Sequence, residues 1–144
     1  MDQTYTHPKR KTKVVFVQLG SPSEPTSKAL RKYLKKFLGD PRVVDINPWL
    51  WKIILNFFVL PFRPKKSAKL YARIWDGKSF PLITNTRDFT NNVREELKKI
   101  DPNGHVEVNH AFLLSPPYVN EVYDSWEDDL KKGVGATKLL VIPM

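Results

Sequence analysis

The sequence predicts an α/β fold, a three-layer parallel sheet flanked by helices. Three short runs rich in β-branched and apolar residues, at 14–19, 105–113 and 138–142, alternate with stretches whose apolar residues recur at helical spacing. Strands separated by helices imply parallel pairing through right-handed crossovers. At 144 residues and 41% hydrophobic content, the chain suits one domain with its own core.

That domain is expected over residues 14–144, after a loose basic leader at 1–13. The leader has no apolar core segment, so it does not read as an export signal. The first strand is Val14-Val15-Phe16-Val17-Gln18-Leu19, ended by the loop Gly20-Ser21-Pro22. A helix follows over 26–38. Ala29, Leu30, Tyr33, Leu34, Phe37 and Leu38 share one face, and Lys28, Arg31, Lys32, Lys35 and Lys36 share the other. Gly39 and Pro41 stop it. Such a cationic face is ordinarily a solvated one, and without a helix-turn-helix or stacking-strand signature no nucleic-acid partner is expected.

Asp45-Ile46-Asn47-Pro48 has the form of a helix start. It opens the apolar run 49–60, which passes abruptly into the basic stretch Pro61-Phe62-Arg63-Pro64-Lys65-Lys66-Ser67. The segment 49–62 is shorter than the roughly 20 apolar residues of a spanning helix and is interrupted by Lys52 and Asn56. It is expected to bury or to lie on a surface. A helix over 67–75, with Ala68, Tyr71, Ala72 and Trp75 on one side, would make the basic stretch a turn between two helices.

A further helix is expected from about Thr86 to Lys99, with Phe89, Val93 and Leu97 on one face, broken by Asp101-Pro102-Asn103-Gly104. The second strand occupies 105–113. Ser115-Pro116-Pro117 opens a helix striped by Val119, Val122, Tyr123, Trp126 and Leu130 and ended by Gly133. The third strand, 138–142, is apolar. Ligands of such sheets sit beyond the carboxyl ends of the strands, which directs attention to 19–22 and 112–116.

Charge and composition narrow the function classes. The net charge of +9 implies acidic partners, and the absence of cysteine removes disulfides, thiolate metal sites and cysteine nucleophiles. It also fits a reducing, cytoplasmic setting. An apolar run joined to a basic stretch suits a flat apolar ligand carrying carboxylates, or an anionic membrane surface. His7 falls in the leader, while His105 and His110, five apart on one strand, point to opposite faces. Each is expected to be a satisfied or exposed imidazole.

Four strings carry a resemblance. Val17-Gln18-Leu19-Gly20-Ser21-Pro22, then residues 31–45 (Arg-Lys-Tyr-Leu-Lys-Lys-Phe-Leu-Gly-Asp-Pro-Arg-Val-Val-Asp), then residues 60–71 and Ile74-Trp75 resemble the amino-terminal half of ferrochelatase. Order and spacing match across nearly the whole chain. The resemblance implies a chelatase-like half domain of a two-half enzyme that inserts ferrous iron, as substrate, into protoporphyrin IX in haem biosynthesis, with no tightly bound cofactor. It also implies that Arg63 stands near a porphyrin propionate, that Leu19 faces the macrocycle, and that 49–62 forms an apolar lip able to touch membrane. Phe80 and Leu113 fall at further cleft positions, where this chain is apolar and the family commonly carries polar residues.

The family's catalytic histidine, in a Tyr-His-Gly-type string, and its acidic metal residues lie in the other half, and no position here matches them. No catalytic or metal residue is therefore assigned. Val141-Ile142-Pro143-Met144 falls in a string that relatives continue with Tyr-Pro-Gln, so a truncated chain, inactive alone and lacking its carboxy-terminal half, is expected. Two alternatives stand beside it: a half-length homodimeric chelatase, and a non-catalytic porphyrin or haem binder or membrane-surface module.

Overall fold

The structure, a computed structural model, describes residues 11–144 and forms two compact units. One holds the described residues through Gln18 together with Thr86–Met144; the other is Leu19–Asn85. Most of the expected leader, His7 included, lies outside the described residues.

The first unit is built on a parallel sheet of β1 (Thr12–Gln18), β2 (Val106–Phe112) and β3 (Lys138–Pro143), in the order β2-β1-β3. Thr12 stands opposite Val106 on one side and Lys138 on the other, which sets the register. The central strand carries Val14-Val15-Phe16-Val17, and Val15 and Phe16 are buried, as a doubly paired strand requires. β1 starts at Thr12, two residues before the apolar run, because the amide of Thr12 bonds the His105 carbonyl (2.7 Å) and the Lys11 carbonyl accepts from Thr137 N (2.9 Å). Backbone pairing, blind to side-chain polarity, continues past the apolar residues.

Two helices flank this sheet. α4 (Pro81–Ile100) starts five residues earlier than its apolar spacing predicts, because Pro81 supplies a preset φ at the first turn. It meets the sheet at Phe89, which lies edge-on to Phe16 at 5.1 Å, and the wholly buried Thr90 returns its hydroxyl to the Thr86 carbonyl (2.7 Å). Arg94 Nε donates to the Val108 carbonyl at 2.7 Å and Nη2 to Asn109 Oδ1 at 3.0 Å, tying α4 to the edge strand β2. α5 (Val119–Lys131) is fastened by Trp126, whose indole N–H donates to the Ala136 carbonyl at 2.8 Å. The expected apolar stripe is not a buried one: no α5 side chain is fully buried, and Tyr123 and Leu130 are exposed. Leu140 and Val141 of the apolar edge strand β3 are exposed as well.

The second unit is helical. α1 (Ser27–Leu38) is capped by Thr26, whose hydroxyl accepts from Ala29 N (3.2 Å), and it buries Leu30, Tyr33, Leu34 and Leu38. Its five cationic side chains are exposed. α2 (Pro48–Ile54) starts at Asn47, whose side-chain oxygen accepts from the amides of Trp49 (3.0 Å) and Leu50 (3.4 Å). A π-helical turn, Leu55–Val59, leads directly into α3 (Leu60–Tyr71), and one 3₁₀ turn, Ala72–Ile74, ends the run.

The basic stretch is therefore helix, not the expected turn between helices. Pro61 lies in the first turn of α3, where an amide has no intrahelical partner to lose. Pro64 does remove a bond to the Leu60 carbonyl. Its ring nonetheless belongs to the buried stripe Leu60, Pro64 and Ala68, spaced four residues apart along the face that packs on α1. Burial of that stripe holds the helix through the defect.

Candidate functional site

The lip of the second unit is made by α2, the π turn and α3. Trp49, Phe57 and Phe62 are 80%, 70% and 72% exposed, and Leu50, Ile53 and Phe58 are exposed beside them. Within 49–62 only Leu55 and Leu60 are buried. A soluble domain rarely leaves so many large apolar side chains in one segment unless something covers them. Trp51 and Ile54 are half-buried on α2, and the Trp51 indole N–H donates to the Leu38 carbonyl at 2.6 Å, pinning the helix to the end of α1.

Charge follows on the same helix. Arg63, Lys65, Lys66 and Lys69 are exposed on α3 and carry no ion pair among the described residues. At 100° per residue Arg63, Lys66 and Leu70 fall on one flank, beside the buried stripe. An exposed guanidinium without a carboxylate is available to a ligand carboxylate, which it grips through two parallel hydrogen bonds.

Leu19 is half-buried and opens the loop after β1, where Gly20 adopts φ 94°, a conformation that favours glycine. The Gly20 carbonyl accepts from Tyr33 Oη at 3.3 Å, so the loop is held to α1. Burial, and then the neighbouring Tyr71, push the Tyr33 phenol up to about 12. Tyr71 in turn meets Phe80 edge-on at 5.4 Å, and Phe80 meets Trp75 at 4.6 Å. Tyr71, Phe80 and Trp75 thus form one ring cluster, and Tyr33 holds the loop that follows Leu19. Tyr33 and Tyr71 are the residues that sequence reasoning missed, having been read as core positions on helix faces; a hydroxyl on each was the available signal.

Phe80 is 2% exposed. Whatever it does for a ligand it does through the rings it supports, not by contact. Leu113, 53% exposed, follows β2 directly, and its amide donates to the Gln18 carbonyl at 3.0 Å.

The two described histidines differ. His105 is satisfied: its Nδ1 lies 2.8 Å from Asp101 Oδ1, an interaction that holds the Asp101 carboxyl below its usual range. His110 is neither satisfied nor exposed as expected, because its Nδ1 is buried without a hydrogen-bond partner. Burial first, then Arg94 and Arg87, lowers its pKa, and its ring sits edge-on to Phe112 at 5.6 Å. No group of three metal-ligating side chains converges among the described residues. Nor is any described helix long and apolar enough to cross a membrane.

The profile of the ferrochelatase family matches residues 11–144. The chain belongs to the ferrochelatase family. It is 40% identical over 131 residues to a ferrochelatase of Idiomarina loihiensis, which covers 91% of this chain and 34% of that protein. With a ferrochelatase of Teredinibacter turnerae it shares 41% identity over 145 residues, covering 99% of this chain and 37% of the relative. A ferrochelatase of Psychrobacter cryohalolentis is 62% identical over 66 residues, 46% of this chain. The chain spans about a third of the length of the first two relatives.

Proposed function

We propose that this chain is the porphyrin-holding part of a cytoplasmic ferrochelatase that inserts ferrous iron into protoporphyrin IX. The observation that carries the reading is Arg63, exposed and without an ion pair among the described residues, one residue from the exposed ring of Phe62 on a family-matched helix. Arg63 binds a propionate, Leu19 packs on the macrocycle, and Phe80 supports Tyr71 from beneath. The aromatic and aliphatic groups supply an apolar surface for the ring, and the guanidinium orients it.

Removing two pyrrole protons and delivering the metal need a base and acidic groups. In this proposal those come from a carboxy-terminal part; the share of about a third of each relative's length supports that division. The chain alone then holds porphyrin without metalating it. Zinc or ferrous insertion followed by absorbance should run at the protein-free rate, and any turnover above that rate would refute the division.

The lip also supports peripheral membrane contact. Trp49, Phe57, Phe58 and Phe62 are exposed next to Lys52, Lys65, Lys66 and Lys69, the pairing of apolar and cationic groups that suits an anionic bilayer surface.

A further inference from the structure

A second apolar site lies in the same unit, behind the lip, with none of Arg63, Leu19 and Phe80 in its wall. Between the end of α1, the loop 39–47 and α2 is a cavity of about 370 Å³, walled by Pro41, Val44, Ile46, Pro48, Trp51 and Leu55. That volume is within the range of small-ligand sites, whose walls are apolar with a few polar groups fixing orientation. Here those groups are Lys35, Lys52 and Asn56. The Trp51–Leu38 hydrogen bond holds one wall in place, so the space does not depend on a ligand to form.

A shallower groove adjoins the cavity and shares Lys35, Gly39 and Pro41 with it. Lys32, Lys36 and Arg42 line that groove, with Asp40 the one acid in it. The Asp40 carboxylate is already engaged by the Arg42 amide at 2.9 Å. Lys35 and Lys52 carry no ion pair among the described residues. An apolar hole thus opens onto a cluster of cations through one shared lysine.

We infer that this cavity binds a single-chain amphiphile with an anionic head, its tail among Val44, Ile46, Trp51 and Leu55 and its carboxylate or phosphate at Lys35. A neutral apolar molecule would leave the cations unused, and a small anion would leave the cavity unfilled. The inference goes beyond the porphyrin reading and does not rest on it.

The test is calorimetric titration with octanoate, decanoate and dodecanoate as monomers. One-to-one binding is expected, tightening about fourfold per methylene until the cavity is full. Dodecanol should bind at least about tenfold more weakly than dodecanoate, and inorganic phosphate should give no saturable heat. Val44→Trp, which fills the cavity, should abolish binding. Lys35→Glu with Lys52→Glu, both at exposed positions that leave the fold intact by circular dichroism, should weaken it about tenfold or more. Arg63→Ala should leave it unchanged, which separates this site from the porphyrin proposal. Displacement of dodecanoate by lysophosphatidylglycerol would support a phospholipid-derived occupant, and failure to displace would support a free long-chain acid. No saturable heat up to about 1 mM dodecanoate, or binding indifferent to chain length and to the double charge reversal, overturns the inference.

Discussion

Raising the pH should unfasten Tyr33 from the second unit, and Tyr33→Phe should remove that sensitivity. The phenol lies on the buried face of α1, donates to the Gly20 carbonyl at 3.3 Å, and is pushed from 10.0 up to about 12 by burial and then by Tyr71. In the unfolded chain it ionises near its ordinary value; in the folded chain it resists. A raised folded value means that the stabilisation is fully present below pH about 10 and is lost as pH rises toward about 12. Two pH units at about 1.36 kcal/mol each set the loss at about 2–3 kcal/mol. Tyr33→Phe keeps the stacked ring against Phe37 but deletes the hydroxyl, costing about 1 kcal/mol near neutrality. Urea midpoints for both proteins should therefore cross: wild type more stable at pH about 8.5, the variant equal or better at pH about 11.5. Absorbance at the phenolate band should show one tyrosine titrating late, and it should vanish in the variant. Parallel loss of stability in the two proteins, within about 0.5 kcal/mol, would refute the assignment.

Phe80→Ala should cost about 3–5 kcal/mol in urea unfolding, since it empties a wholly buried site, whereas Phe80→Leu should cost about 1–2 kcal/mol for two lost edge-to-face partners. A cost under about 1 kcal/mol for the alanine variant would show that the ring is not core. His110 has a lowered pKa, so its contribution is present above its ordinary value of 6.5 and is lost as pH falls through the folded value; His110→Phe should flatten stability between pH about 7 and 5, and an unchanged slope would contradict the burial argument. Replacing Phe57, Phe58 and Phe62 by serine should abolish sedimentation with phosphatidylglycerol vesicles while leaving unfolding nearly unchanged, because all three are exposed. Retained sedimentation would remove the lip from the membrane contact.

The strands were legible because each carries its own local signal, β-branched residues bounded by Gly and Pro. Their limits were less so: Thr12 and Lys13 join β1 through backbone bonds that polarity does not report. The run from Leu55 to Tyr71 misled for a related reason. Two prolines normally punctuate a helix, but Pro61 falls where no amide is needed and Pro64 is part of the buried stripe, so tertiary burial overrode local propensity. Among site residues, Arg63 and Leu113 are exposed where the family resemblance puts ligand contacts, and Leu19 is half-buried. Phe80 is not exposed, because Tyr71 and Trp75 close over it, a relation between side chains that spacing along the chain does not carry. The orphaned nitrogen of His110 was equally out of reach, since alternation on a strand says which face a histidine takes and not whether a donor waits there.

Titrating protoporphyrin IX into the chain while following the Soret band tests the central claim most directly. A saturable shift with micromolar affinity is expected, weakened about tenfold in Arg63→Ala and only partly restored in Arg63→Lys, which keeps the charge but loses the two-pronged grip. No saturable shift at micromolar porphyrin, or equal affinity in wild type and Arg63→Ala, would contradict the account.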